Sequence, residues 1–483
     1  MSRLTPPALF WPVAGMVAAV TLLRLGVLAA SPLSLSFDEA QYWLWSLTPD
    51  WGYFSKPPLV AWAIAASTAL CGEGEACVRL SSPLAHGATA LILYAAGARI
   101  FVPAVGAWAA ALWLAMPGVS FSSMLVSTDP LLLTCWAAAL LAGWRAGEGA
   151  GRGWWVALGL AVGLGMLAKY AMLAFLPCLA AWLLWQRRGL PAGFWLAAAL
   201  ALAVLSPNLA WNLAHGFATI QHTGANANLG GPLFHADHLA EFLASQAGVF
   251  GPLALLALLA AAASRRAWGD PRMSYLLLLA LPYLAAITVQ SFLSRANANW
   301  AAPAYVAGTL LVAAWASEGR VWLLRTSVAL HILAALVLYG GDGLATAAGH
   351  PASGPRDPFK RVRAWPATAA AVAAVHRQHP DLRLLFDDRE LMASLTYYLR
   401  PESLRAVKWN HDGRIKDHFE LTTDLERHRG ESFLLVTRFP DAGHLAARFA
   451  AAGFLGTVET RVNPGLTREL RLYRLDGFKG YGR

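Results

Sequence analysis

Apolar residues dominate the first 340 positions, in runs about as long as a bilayer crossing, separated by short polar loops. The first run extends from about Leu9 to Ala30. At 1.5 Å per residue it is long enough to cross ~30 Å of hydrocarbon. Further runs fall at about 80–101, 103–120, 128–145, 154–169, 170–186, 192–213, 239–263, 273–291, 300–317 and 321–340. With the first they predict about eleven transmembrane helices. Leu59–Leu70 is apolar but shorter, and is expected to lie in the membrane interface. Beyond Gly340 the pattern changes. Short apolar runs at Leu382–Phe386, Phe433–Thr437 and Leu470–Leu475 read as strands, with helical patterns near 364–379, 389–399 and 441–452. The expected fold is a polytopic α-helical membrane protein with a small C-terminal α/β domain. Residues 1–340 form the membrane part, with a first outer loop at 31–79. Residues 341–358, rich in Gly and Pro, form a linker, and 359–483 the soluble domain.

Composition agrees. The chain is 57% hydrophobic and 14% charged, against ~25% charged for a soluble domain. This excludes one large soluble core. Of the 66 charged residues, 38 lie in 351–483. A net charge of +10 would suggest a nucleic-acid partner in a soluble protein. Here the topology accounts for much of it, and no nucleic acid is expected. With a cytoplasmic N-terminus, the inner loops carry Arg145, Arg152, Arg187, Arg188, Arg265, Arg266, Arg272 and Arg320, as the positive-inside rule requires. Loops 31–79, 121–127, 214–238 and 292–299 then face outward with the C-terminal domain, which in a bacterial inner membrane means the periplasm. Arg24, about two turns from the outer end of the first span, is expected to snorkel outward. Cys71 and Cys77 flank a small Gly-rich loop where an oxidising compartment permits a disulfide.

The chemistry concentrates in residues 36–58, SFDEAQYWLWSLTPDWGYFSKPP. Asp38 and Glu39 are adjacent, six aromatic residues including Tyr53 follow, and Lys56 precedes Pro57-Pro58. Each feature has a structural reading too. Ser36-x-x-Glu39 fits a capping box, and Trp and Tyr gather at membrane interfaces. Other polar groups fall at outer helix ends: Asp129, Lys169 with Tyr170, Asn208 with Asn212, and Arg295 with Asn299 and Trp300. Amides and carboxylates bind hydroxyls, cations bind phosphate, and indole faces stack on sugar rings. The set suits a charged, sugar-like substrate. His215, His222, His235 and His238 with Asp237 are potential ligands for a divalent ion, but lack the compact spacing of a zinc helix. No metal ligand set is assigned, and a divalent cofactor is left open.

The pieces FDEAQYWLWS at 37–46, GYFSKPPLVAW at 52–62, STDPLLL at 127–133, GLGMLAKYAMLAFLP at 163–177 and NANWAAPAY at 297–305 resemble the GT-C class of polyprenyl-phosphate-sugar glycosyltransferases. That family includes protein mannosyltransferases and bacterial aminoarabinose lipid A transferases. The resemblance implies a donor such as an undecaprenyl-phosphate sugar and a lipid, glycan or protein acceptor. It implies that Asp38 is the catalytic Asp of the first outer loop and that Lys56 contacts the carrier phosphate. Asp129 and Lys169 match further polar positions of the cavity. The expected mechanism is inverting. Asp38 serves as general base, Lys56, Lys169 and Arg295 face the leaving phosphate, and Glu39, Tyr53, Asp129, Tyr170, Asn212, Asn299 and Trp300 contact substrate. The aminoarabinose enzymes carry a metal-binding Glu immediately before KPP. Here that position is Ser55.

A transporter or flippase for a lipid-linked or sugar substrate is the alternative. Such proteins place ionisable groups near the bilayer midplane, often with repeat symmetry. Here they gather at outer helix ends and no internal repeat occurs. A scaffolding membrane protein would need neither Asp38 nor Lys56.

Overall fold

The computed structural model describes residues 9–482, which form two compact units. The first comprises the chain up to residue 29, then 56–72 and 76–340. The second comprises 30–55, 73–75 and the chain from 341 onward.

The first unit is built of helices. Among the described residues six are long and apolar enough to cross a membrane: Phe10–Ala30, Glu75–Ile100, Ala192–Ala214, Pro271–Leu293, Ala298–Ser317 and Val321–Ala347. A bent pair, Ala236–Phe250 and Pro252–Ala263, brings the number to seven if it counts as one span. The sequence pattern predicts about eleven, and the difference has physical causes. Pro103–Ala115 has 13 residues, about 20 Å of helix, which is short of the hydrocarbon core. The run 239–263 turns by 106° at Gly251. There φ is +93°, and a Cβ would lie 1.8 Å from His331 Nε2, so only glycine fits. The last helix runs to Ala347, into the stretch expected as linker.

Arg24 departs from expectation. It does not snorkel but is 3% exposed inside the first unit. Its guanidinium donates to the Leu114 carbonyl, to Ser120 Oγ at 3.3 Å and to Tyr339 Oη at 3.1 Å. Leu114 lies at the end of helix Pro103–Ala115, where carbonyls lack intrahelical partners. Arg24 thus meets a backbone need inside the helix bundle. Cys71 and Cys77 are joined by a disulfide, with Cα atoms 5.9 Å apart.

The second unit contains a mixed five-stranded sheet. Its strands are β1 Arg383–Phe386, β2 Val407–Lys408, β3 Phe433–Thr437, β4 Phe449–Asn463 and β5 Leu466–Phe478, in the order β2-β1-β3-β5-β4. β1 runs parallel to β2 and β3, while β5 is antiparallel to both β3 and β4. All five residues of β3 are buried. Alternation sends Leu434 and Val436 to one core and Phe433 and Leu435 to the other. Helices Trp365–His376 and Arg389–Tyr398 form near their predicted places. The helix expected over 441–452 does not. Only Gly443–Ala446 is helical, and Phe449 already begins β4. The Ala-rich stretch favours helix locally, but pairing along most of β5 overrides that preference.

Residues 30–55 fold as part of this unit. Phe37 and Leu44, on helix Phe37–Ser46, pack against the core that contains β1, Leu391 and Leu395. The Ser34 N–H donates to the Val362 carbonyl at 2.8 Å, and the Leu35 N–H to Tyr398 Oη at 2.7 Å. Trp43 and Trp45 are each 1% exposed. Burying an indole contributes at most about 4–6 kcal/mol at ~25 cal/mol per Å². Residues 30–55 are therefore anchored by aromatic burial within the second unit.

Candidate active site

Most of the residues singled out from the sequence fall into two polar clusters. In the second unit, Ser36 and Glu39 complete the capping box: the Glu39 N–H donates to Ser36 Oγ at 3.4 Å, and the Ser36 N–H to Glu39 Oε2 at 2.9 Å. Glu39 is 2% exposed. One oxygen of its carboxylate serves the helix start. Asp38, one residue earlier, has a side chain 47% exposed. Its Oδ1 accepts a 2.6 Å bond from Arg389 Nη2, and Arg389 Nε donates to Gln41 Oε1 at 2.9 Å. The guanidinium also lies 5.1 Å from the Phe37 ring centroid. A planar donor fixed at three points orients the carboxylate while leaving it accessible.

Tyr53, expected to contact substrate, is 3% exposed. Its ring stacks on Trp45 at 4.5 Å, and its hydroxyl donates to the Trp45 carbonyl and accepts from the Asp50 N–H, both at 3.0 Å. Burial pushes its pKa up to about 12. It braces the loop from within. His418 packs on Trp45 at 5.2 Å and on Tyr53 at 5.9 Å. Burial, and secondarily the charge of Arg389, pushes its pKa down to about 3. The unfolded chain therefore binds this proton more readily than the native one. The associated stability is complete above about pH 6.5 and is lost as pH falls from there toward 3, by ~1.4 kcal/mol per pH unit. Thermal unfolding of the full chain is expected to show a smaller loss of Tm between pH 7 and pH 5 in His418→Gln than in wild type. Equal losses would exclude His418 as the source.

In the first unit, Asp129 gathers three of the predicted residues. Lys169 Nζ lies 2.7 Å from its Oδ1, Asn299 Nδ2 donates to its Oδ2, and the charge of Lys56 bears on the same carboxylate. Ser127 caps the helix that presents Asp129. Lys169 stands where helix Arg152–Ala168 ends in extended backbone, so its side chain leaves the helical register. Beside it, Tyr170 Oη donates to Asn208 Oδ1 at 2.7 Å and accepts from Asn212 Nδ2 at 3.1 Å. The Thr219 N–H donates to Asn212 Oδ1 at 3.2 Å. Arg295 is exposed and Trp300 half-buried. Among the described residues neither side chain joins this cluster.

Residues 55–211 match the family model for dolichyl-phosphate-mannose-protein mannosyltransferases. Lipid A galacturonosyltransferase RgtD of Rhizobium johnstonii is 36% identical over 84% of this chain and 86% of its own length. The chain belongs to the GT-C polyprenyl-phosphate-sugar glycosyltransferases. An undecaprenyl phosphate-α-4-amino-4-deoxy-L-arabinose arabinosyl transferase of Pseudomonas aeruginosa is 32% identical over 54% of the chain and 48% of its own length. The structure of ArnT from Cupriavidus metallidurans bound to undecaprenyl phosphate shares the fold, with a TM-score of 0.62 at 17% identity, covering 96% of this chain and 98% of that one.

Sequence reasoning about this glycosyltransferase missed Arg389, the partner of Asp38, and Gln41, which accepts from Arg389. Gln41 sits one helical turn after Asp38, a spacing that signals a shared face. Arg389 is 351 positions away, and nothing local marks it. Immediately before Lys56-Pro57-Pro58, Ser55 is 8% exposed and brings no carboxylate. Among the described residues, His235, Asp237 and His238 bring ligand atoms within 4.8 Å of one another. His235 Nε2 and His238 Nδ1 bond the carbonyls of Pro232 and Ser294.

Proposed function

We propose that this glycosyltransferase moves a sugar from a polyprenyl phosphate of the undecaprenyl type to a lipid A-like glycolipid on the periplasmic face of a bacterial inner membrane, with inversion. The observation that carries this reading is the 36% identity to a lipid A galacturonosyltransferase over most of both chains. The half-exposed Asp38 carboxylate, oriented by Arg389, supports the assignment of the base.

Asp38 accepts the proton of the acceptor hydroxyl as its oxygen attacks the anomeric carbon. The bond from that carbon to the phosphate oxygen breaks. The carrier phosphodiester becomes a monoester and gains negative charge. Lys56 and Lys169 stabilise this charge, and exposed Arg295 is available to it. Asp129 keeps Lys169 and Asn299 in place. Tyr170 and Asn212 supply hydroxyl and amide contacts, and Trp300 a ring for stacking. A divalent ion held by His235, Asp237 and His238 would add positive charge toward phosphate. The N-terminus is cytoplasmic, the membrane part is 1–340, and the domain 359–483 lies on the acceptor side.

A hexuronic acid is the favoured sugar. The longest-matching relative named above is a galacturonosyltransferase. Purified protein given labelled undecaprenyl-phosphate galacturonate or aminoarabinose, together with lipid A, is expected to label lipid A from the uronosyl donor. Movement of donor across a vesicle bilayer without covalent transfer would overturn this reading in favour of a flippase.

A further inference from the structure

A cavity of about 340 Å³ opens in the second unit between the start of helix Trp365–His376, helix Arg389–Tyr398 and the β4–β5 hairpin. Phe37, the residue before Asp38, lines it. So do four cations: Lys360, Arg361, Arg438 and Arg468. The two acids on its wall are engaged. Glu469 pairs with Arg471 at 2.6 Å, and Glu390 with Arg438 at 3.3 Å. Lys360, Arg361 and Arg468 have no acidic partner among the described residues.

Arg468 is positioned with care. Its guanidinium lies 3.9 Å from the Trp365 ring centroid and donates to Thr368 Oγ1 at 2.9 Å and the Arg363 carbonyl at 3.1 Å. Burial and the nearby charge of Arg438 push its pKa down to about 10. Positive charge at this point is therefore under-compensated, and an anion would relieve it. Ser394 adds an independent sign. It is 0% exposed and lines the cavity, and its hydroxyl has no hydrogen-bond partner among the described residues. A buried hydroxyl without a partner is costly unless something else bonds it.

We propose that this cavity binds the phosphomonoester of a sugar headgroup. Guanidinium and ammonium groups match phosphate oxygens, the Ser394 hydroxyl donates to one of them, and Phe37 lines the space left for the ring. The volume lies at the low end of the ~300–1,000 Å³ typical of small-molecule sites. It suits one phosphorylated sugar and leaves no room for acyl chains. The occupant is then the phosphorylated end of the acceptor glycolipid, held beside the Asp38 loop. That acceptor role rests on the transfer reading above, whereas the binding itself does not.

Calorimetric titration of the full chain in detergent tests the site, with glucosamine 1-phosphate, glucosamine and inorganic phosphate as probes. Glucosamine 1-phosphate is expected to bind at least tenfold more tightly than either of the others. Arg361→Gln and Arg468→Gln are each expected to weaken it about tenfold. Arg361 is exposed, so its replacement leaves the fold intact even if Arg468→Gln unfolds. Wild-type affinity in Arg361→Gln overturns the site, and equal affinity for inorganic phosphate overturns the sugar-phosphate assignment. With vesicles of lipid A and of dephosphorylated lipid A, Arg361→Gln is expected to raise KM for the phosphorylated acceptor alone. An equal rise for both overturns the acceptor role. Asp38→Asn separates the two readings: retained transfer defeats the base assignment, while intact sugar-phosphate binding in that variant upholds the cavity.

Discussion

Asp38→Asn is expected to cut turnover by ~10²–10⁴-fold, the range a positioned general base contributes, with donor affinity nearly unchanged. The amide keeps the shape and can still accept a bond from Arg389, so the loop stays folded. On the proposed mechanism, what it loses is the capacity to take a proton from the acceptor hydroxyl. The loop's anchoring makes this a clean test. Helix Phe37–Ser46 is held by its capping box, by buried Trp43 and Trp45, and by packing against the C-terminal core, none of which involves the Asp38 carboxylate. Arg389→Met is the companion. It leaves the carboxylate but removes its 2.6 Å partner and the bond to Gln41. A carboxylate free to swing is expected to lower kcat by up to ~10²-fold, with KM little changed and partial recovery in Arg389→Lys. Near-normal turnover in purified, folded Asp38→Asn would remove Asp38 from the base role and leave Arg389 a structural brace.

Features encoded within a few residues were legible in the sequence; those that depend on distant partners were not. The capping box at Ser36–Glu39 appears as spaced, because both partners lie within one helical turn. The core strands appear near Leu382–Phe386 and Phe433–Thr437, because buried central strands are continuous apolar runs. The long β4 was missed because its Ala-rich sequence carries a helical preference that only β5 overrules. Arg24 was expected at the lipid surface because the carbonyl that receives it lies 90 positions away. The site divides in the same way. Asp38, Lys56, Asp129 and Lys169 stood out as polar residues in apolar surroundings. Arg389 and the cations of the cavity sit in a stretch already rich in charge, where one more arginine carries no signal.

The second large effect is expected at Lys56. Its charge bears on Asp129, but it is not that carboxylate's main partner, since Lys169 at 2.7 Å and Asn299 satisfy it directly. Lys56→Ala therefore leaves the Asp129 carboxylate paired with Lys169 and Asn299. On the proposed mechanism it also removes a cation from the phosphate as the bond to the anomeric carbon breaks and charge accumulates on the leaving oxygen. Losing one such group in a water-poor site costs ~10²–10³-fold in rate. The carrier phosphate is already a monoanion before the reaction, so donor affinity is expected to fall as well, but by less than the rate. Single-turnover measurements with saturating donor separate the two. A loss confined to KM would make Lys56 a ground-state anchor, because uniform binding leaves kcat untouched. A loss in kcat at saturation places its charge on the transition state. Lys56→Arg is expected to restore donor affinity more fully than rate, because a planar guanidinium keeps the charge but cannot reproduce the compact ammonium's fit to one developing oxyanion.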